Sequence, residues 1–204
     1  LNALEIGIKN LMKHIENIQL FGLNPIVAIN KFTTDTEKEL QLLKEKLEGK
    51  IEYSLLENWA KGGEGAADLA NKICRICEKE HTFKNTYELS DTTKDKIEKV
   101  AKKIYGASNV EYSEEAEKQI ADIEKNNVQV PVCIAKTQYS FSDDDKNLLC
   151  DKPFTIHITS AEYKAGAEFI VVKTGKVMTM PGLPKVPSAE NIDLDENGNI
   201  VGIF

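Results

Sequence analysis

The feature that most constrains this sequence is an apolar run followed by a polar loop and a capped, charged helix. The run is Pro25–Ile29, the loop covers residues 30–36, and the charged helix continues for about three turns. Thr36 occupies the N-cap position and Glu39 completes a capping box. This order is typical of a β-α unit in a parallel sheet. Ligands bind beyond the carboxyl ends of such strands, so we expect a binding edge in the loop.

A second strand and helix frame the only tryptophan. Residues 51–54 predict a short strand, and apolar residues at helical spacing run from residue 66 to about residue 79. The segment between them contains Asn58-Trp59-Ala60-Lys61-Gly62-Gly63-Glu64-Gly65. Glycines let a backbone approach a ligand closely, and a helix start favours an anion. One interpretation is a wall for a flat, anionic small molecule, with Lys61, Gly62 and Gly63 as a possible ligand loop. The other is a tight turn with a half-buried tryptophan.

The second half of the chain predicts helices and a second sheet. Helices are expected at residues 92–105 and 113–125, and strands at residues 130–135, 154–159 and 168–173. The loop at 136–144 either presents donors to a ligand or caps an edge of the fold. Asp143, Asp144 and Asp145 favour the N-cap of a short helix over a metal site. His157 falls on the polar face of its strand, where we expect no catalytic role.

The sequence as a whole is assigned to the α/β class. We expect residues 1–88 to form an α/β segment with a mostly parallel sheet. Residues 89–204 are expected to form a smaller α+β domain with a mixed or antiparallel sheet.

Composition excludes several classes of partner. The net charge of −7 disfavours a nucleic-acid partner. No apolar run approaches the roughly 18 residues that span a bilayer. No secretion signal is recognised, so we expect a cytoplasmic protein with reduced thiols.

The cysteines predict no metal site. Cys74 and Cys77 form a C-x-x-C motif, which can mark zinc or a redox centre. No second pair and no paired histidines complete a zinc site. Core or helix-face cysteines are therefore favoured over metal binding.

The C-terminal segment resembles a calcium loop only in part. Asp193, Asp195, Asn197 and Gly198 match the first half of an EF-hand loop, but Phe204 stands where a bidentate glutamate is needed. Asn197-Gly198 between apolar residues favours a β-hairpin turn.

Two nucleotide motifs are absent from the sequence. No G-x-x-x-x-G-K-[ST] match occurs. Asn30-Lys31 resembles the start of a guanine-reading N-K-x-D motif, but Thr33 replaces its aspartate, which argues against guanine recognition.

Several segments, in order, strongly resemble formate–tetrahydrofolate ligase (10-formyltetrahydrofolate synthetase). They are Asn30-Lys31-Phe32 with Asp35-Thr36, Trp59 to Gly65, Ala135-Lys136-Thr137-Gln138-Tyr139-Ser140-Phe141-Ser142, and Met178-Thr179-Met180-Pro181-Gly182-Leu183-Pro184-Lys185-Val186-Pro187. The hairpin from Asp195 to Gly202 also matches the C-terminal end of that family. The resemblance covers essentially the whole sequence and implies the C-terminal part of a longer subunit. Residues 1–88 would then be the end of a P-loop-type nucleotide-binding domain whose phosphate loop lies in the N-terminal part.

The resemblance also implies the chemistry. Such a ligase uses ATP, with Mg²⁺, to convert formate into formyl phosphate, which the amine of tetrahydrofolate then attacks. A monovalent cation (K⁺ or NH₄⁺) supports the reaction, and the complete enzyme is typically a cytosolic homotetramer. Phe32, Leu55 and Trp59 match positions that line the pterin pocket. Met180, Pro181, Gly182 and Leu183 match a loop near the nucleotide base, and no catalytic residue is assigned.

Because the phosphate loop is missing, we expect the 204-residue chain alone to be inactive. Two alternatives stay open. The chain is either a folate-binding module without catalysis or a structural fragment without ligand affinity.

Overall fold

The computed structural model describes residues 1–150, 152–175, 177 and 185–202. Within this part, the chain is α/β with one parallel sheet, one mixed sheet and a C-terminal hairpin. Met180, Pro181, Gly182 and Leu183 lie outside the described residues.

The first region forms a short parallel sheet with helices packed on it. Its elements are α1 (Asn2–Leu20), β1 (Ile26–Asn30), α2 (Glu37–Leu47), β2 (Glu52–Leu56), α3 (Asn58–Lys61), a 3₁₀ segment (Gly62–Ala66) and α4 (Ala67–Cys77). β1 and β2 pair in parallel, with Asn30 opposite Leu56. The predicted capping box is confirmed, since the Thr36 hydroxyl accepts from the Glu39 N–H and the Glu39 carboxylate accepts from the Thr36 N–H. A small core joins α1, α2 and β1 through Ile15, Val27, Ile29, Leu40 and Leu47, and Tyr53 and Leu55 of β2 pack against it.

The second region forms a four-stranded mixed sheet. Its elements are α5 (Thr93–Lys99), a π-helical turn (Val100–Tyr105), β3 (Asn109–Tyr112), α6 (Glu114–Lys125), β4 (Val132–Ala135), β5 (Thr155–Lys164) and β6 (Phe169–Thr174). The strand order is β3-β5-β6-β4, with β5 and β6 antiparallel and the outer pairs parallel. Eleven buried residues from α5, the π turn, α6 and the sheet form one larger core. The mixed sheet that the sequence predicts is therefore present.

Three local predictions need correction. The glycine-rich segment is not a simple turn, because it continues as α3 and a 3₁₀ segment into α4. No helix forms at residues 143–149, and the Asp143 carboxylate accepts bonds from the backbone and ring of His157 instead of capping a helix start. Cys74 and Cys77 lie on the exposed face of α4 as free thiols, so the core part of their interpretation is wrong.

The hairpin prediction is confirmed for the described C-terminal residues. β7 (Asp193–Leu194) pairs antiparallel with β8 (Ile200–Val201). The Asp195 carboxylate accepts from the backbone N–H groups of Asn197 and Asn199. These bonds lower the pKa of Asp195, together with a larger effect from the Asn199 side chain. The carboxylate that could have suggested calcium thus closes a turn.

Candidate functional site at the ends of the parallel strands

The carboxyl ends of β1 and β2 lie side by side, as the sequence predicts for a binding edge. Lys31 extends the ladder beyond β1, because its N–H donates to the Leu56 carbonyl at 3.0 Å. The chain leaves β1 into the loop carrying Phe32 and leaves β2 into the helix carrying Trp59. The fold therefore brings together two segments that are about 27 residues apart in sequence.

A side-chain–backbone turn fixes the loop that carries Phe32. The Phe32 N–H donates to the Asp35 carboxylate at 2.8 Å, and the Asp35 N–H donates to the Phe32 carbonyl at 3.2 Å. Such turns order a loop without a regular element. The Phe32 ring is 56% exposed, so it is held at the surface and not used by the core.

The Trp59 ring is tied to the same loop. Its Nε1–H donates to the Lys31 carbonyl at 2.9 Å, and 59% of the residue is exposed. The only hydrogen-bond donor of the indole, its N–H group, is therefore already used in a bond within the protein. What remains for a ligand is the flat ring surface, which is suited to stacking on another ring.

Leu55 lies near the carboxyl end of β2. It pairs opposite Ile29 and packs, half-buried, against the core of the first region. Phe32 lies on the loop after β1, and Trp59 lies on α3 after β2.

Lys61 is not a free cation. Its Nζ donates to the Glu57 carboxylate at 2.6 Å, and Lys31 approaches the same carboxylate at 3.8 Å. The hydrogen bond from Lys61 lowers the pKa of Glu57, and the same bond raises the pKa of Lys61. A ligand anion at Lys61 would have to compete with Glu57, so the structure weakens Lys61 as a direct ligand contact.

The three glycines of the segment differ in whether a larger residue could replace them. Gly62 has a φ of +60°, which favours glycine. A Cβ on Gly65 would lie 2.6 Å from the carbonyl carbon and oxygen of Glu57, whereas a Cβ on Gly63 would meet nothing within 4 Å. The Gly65 carbonyl also accepts from the Glu57 N–H at 3.2 Å. The close backbone approach at Gly65 is thus made by the protein itself.

Sequence reasoning missed the polar groups that hold this edge in place. The Ser54 hydroxyl donates to Asp68 at 2.6 Å, and Lys72 Nζ donates to Asp68 and to the Tyr53 carbonyl, both at 2.7 Å. The bonds from Lys72 and Ser54 lower the pKa of Asp68. Asp68 and Lys72 stand at helical i,i+4 spacing, which is the only local signal of this arrangement. The network anchors α4 to β2 and so supports the segment between them.

Among the described residues, no group of three or more His, Cys, Asp or Glu side chains is arranged to hold a metal ion. No helix in this part of the chain is long and apolar enough to cross a membrane.

Comparisons with known proteins bear on the family of this chain. The family model described as "Formate--tetrahydrofolate ligase" matches residues 1–204. A curated relative named "Formate--tetrahydrofolate ligase", from Limosilactobacillus reuteri subsp. reuteri (strain JCM 1112), is 46% identical over 207 residues, covering 100% of this chain. The chain spans 37% of the length of that relative. A match of the family model over the full sequence establishes the assignment: this chain belongs to the formate–tetrahydrofolate ligase family.

Proposed function

We propose that this chain supplies the folate pocket of an ATP-dependent ligase that joins formate to tetrahydrofolate. The observation that carries the proposal is the Trp59 ring, held at the carboxyl ends of two parallel strands by its bond to the Lys31 carbonyl. Phe32 is exposed on the adjoining loop, and Leu55 lies near the carboxyl end of β2, where we assign it an apolar contact with the ligand. A pterin is flat, and two exposed rings offer it stacking surfaces.

The reaction follows from the weakness of formate as an electrophile. Its carboxylate is resonance-stabilised and has no leaving group. Transfer of the γ-phosphoryl group of ATP to formate gives formyl phosphate and ADP. The tetrahydrofolate amine attacks the formyl carbon, phosphate leaves and the amine proton is lost. In this scheme Phe32, Leu55 and Trp59 orient the pterin, which positions the amine for attack.

Other parts of the assignment extend this proposal. We assign Met180, Pro181, Gly182 and Leu183 to contact with the nucleotide base, and the phosphate-binding loop to an N-terminal part of the same subunit. We assign Mg²⁺ and a monovalent cation to the complete enzyme, and we assign no residue of this chain to either ion. The complete enzyme would be a cytoplasmic homotetramer. The two separate hydrophobic cores support a division into domains at residues 1–88 and 89–204.

Binding of tetrahydrofolate tests the pocket directly. Trp59 is the only tryptophan, so its fluorescence reports on this site alone. Tetrahydrofolate should quench or shift the emission, and Trp59→Ala should weaken binding, measured by calorimetry, by about tenfold if one to two kcal/mol is lost. Phe83→Ala is a matched control, because Phe83 is equally exposed at 60% but stacks on Phe21. An unchanged affinity in folded Trp59→Ala protein would refute the pocket.

An assay of product formation distinguishes an active enzyme from a part that only binds folate. The sequence holds no P-loop motif, so we expect the 204-residue chain to make no formyltetrahydrofolate from ATP, formate and tetrahydrofolate. Folate binding without turnover supports the proposed role as a pocket-bearing part. Turnover at the rate of a complete enzyme would contradict it, and absence of folate binding would favour a structural fragment.

A further inference from the structure

A cavity distant in sequence from Trp59 lies between α1 and the loop that follows β4. It has a volume of about 280 Å³ and is lined by Asn10, His14, Tyr105 and residues 136–141. A second cavity of about 580 Å³ shares residues 136–139 as a wall and continues toward Asp143–Asp145 and Thr174. We call the first of these the Lys136 cavity.

Lys136 is the cation in this wall. Its Nζ donates to the Thr137 carbonyl at 2.8 Å and to the Ser140 carbonyl, and it lies 5.0 Å from the centre of the Tyr105 ring. These partners are neutral dipoles and a ring face. Among the described residues, no carboxylate lies within 4.0 Å of the ammonium.

Asp143, one of the three acids that line the second cavity, is already engaged by His157. The Asp143 carboxylate accepts from the backbone N–H of His157 at 2.7 Å and lies 2.9 Å from its ring Nδ1. Burial lowers the pKa of Lys136, with Cys150 and Asp143 only partly opposing the effect. A partly desolvated ammonium with only neutral partners gains more from an added anion than an exposed lysine does.

Tyr105 also lines the cavity and carries a hydroxyl group. It ends the π-helical turn, and Gly106 in the left-handed conformation turns the chain away behind it. Burial raises the pKa of Tyr105, so its hydroxyl stays protonated and able to donate. Single π turns recur at functional sites because they redirect one side chain. Here the turn sets the Tyr105 ring against the Lys136 ammonium.

We propose that the Lys136 cavity binds an oxyanion, the phosphate or carboxylate group of a small ligand, with the Lys136 ammonium and the Tyr105 hydroxyl as donors. The volume suits a small molecule or one end of a larger one. The exposed Tyr139 ring at the rim offers an apolar contact to the rest of such a ligand. The proposal is independent of the folate pocket, because Phe32, Leu55 and Trp59 do not line this cavity.

Calorimetric titration of the 204-residue chain tests it with inorganic phosphate, ATP and formate as separate probes. Lys136→Met should weaken binding of at least one probe by about tenfold or more, since a charge-assisted hydrogen bond is lost. Lys136→Arg, which keeps the charge, should bind within a few fold of the unmodified chain. Lys146→Met is the matched control, because Lys146 is exposed on the same loop and lines neither cavity. Loss of phosphate and ATP binding identifies a phosphate ligand, and loss of formate binding alone identifies a carboxylate.

Lys136→Met also removes the hydrogen bonds from the ammonium to the Thr137 and Ser140 carbonyls, which hold the loop. A second variant is therefore needed. Tyr105→Phe keeps the ring against the ammonium and removes only one donor, and it should weaken the same probe by several fold. Circular dichroism of both variants checks the fold. The proposal is overturned if no probe binds the unmodified chain at about 10 mM, or if folded Tyr105→Phe and Lys136→Met bind as the unmodified chain does.

Discussion

The two regions of the molecule bury their strands differently. The first region contains a two-stranded parallel sheet and a core of five buried residues. Phe32 and Trp59 are exposed beyond the ends of its strands. The second region has four strands and a core of eleven buried residues. Parallel strands are normally covered on both faces. The region with the smaller core thus carries the aromatic side chains of the proposed folate pocket, and the region with the larger core supplies most of the buried core residues.

The two regions should differ most in the free energy of unfolding that is lost when a core isoleucine is truncated to alanine. Ile170→Ala should cost about 2–5 kcal/mol, because a fully buried isoleucine leaves a cavity that close-packed neighbours cannot fill. Ile170 is 0% exposed in the second region, and Ile29 is 8% exposed in the first. Ile29→Ala should therefore lie at or below the lower end of that range. Urea unfolding followed by circular dichroism measures both variants. An equal or larger loss in Ile29→Ala would contradict the comparison.

A glycine pair tests how tightly the first region is built around Trp59. Gly65→Ala should cost about 1–3 kcal/mol and shift the Trp59 emission, because the added Cβ would overlap backbone atoms. These atoms are the carbonyl carbon and oxygen of Glu57, each 2.6 Å from the ideal Cβ position. Gly63→Ala has open space around the Cβ and should change stability by no more than about 1 kcal/mol in either direction. If the two variants behave alike, the segment is looser than the structure indicates.

A buried lysine makes the stability of the second region depend on pH. Lys96 is 1% exposed and its Nζ donates to the Val130 carbonyl at 3.2 Å. Burial lowers its pKa below 10.5, although Asp91 and Glu124 oppose the shift. The unfolded chain therefore binds more protons between the folded pKa and 10.5, and stability rises with pH across that window.

Lys96→Met removes this contribution. The variant should be within about 1 kcal/mol of the parent chain near neutral pH, since an apolar replacement of a buried charge is often neutral or stabilising. Its stability should lack the rise toward pH 10.5 that the parent shows. The control is Lys102→Met, an exposed residue paired with Glu98. Unfolding midpoints at a series of pH values distinguish the two, and an undiminished rise in Lys96→Met would exclude burial as the cause.

Local signals predicted most of the fold. The capping pattern at Thr36 and Glu39, the helix expected at residues 113–125 and the hairpin turn at Asn197-Gly198 all appear as the sequence indicates. Each depends on residues within a few positions of one another, so periodicity and capping rules are sufficient.

Contacts between distant residues were not predictable in this way. β3 is held by pairing with β5, about 46 residues later, and only four residues carry its pattern. The bond from His157 to Asp143 replaces the expected helix cap, and it joins a strand to a loop 14 residues earlier. At the candidate site, the residue types of Phe32, Leu55 and Trp59 were visible in the sequence. The bond from Trp59 to Lys31 was not, because it requires the ends of the two strands to be adjacent. The pairing of Lys61 with Glu57 is local, at i,i+4 spacing, and could have been read from the sequence.

The smallest expected effect concerns the exposed charges beside Trp59. The bond from Lys61 lowers the pKa of Glu57 below 4.5, so its ionised form stabilises the segment above pH 4.5, and this contribution is lost as pH falls through the lower, folded pKa. Exposed ion pairs contribute little to stability, so the change should be local. Trp59 emission should shift in acid before the circular dichroism does. Glu57→Gln should remove that early shift, whereas Glu48→Gln, an exposed change at the end of α2, should keep it. If Glu57→Gln retains the full shift, the pairing of Glu57 with Lys61 does not hold the tryptophan segment, and the bond from Trp59 to Lys31 is left as its main support.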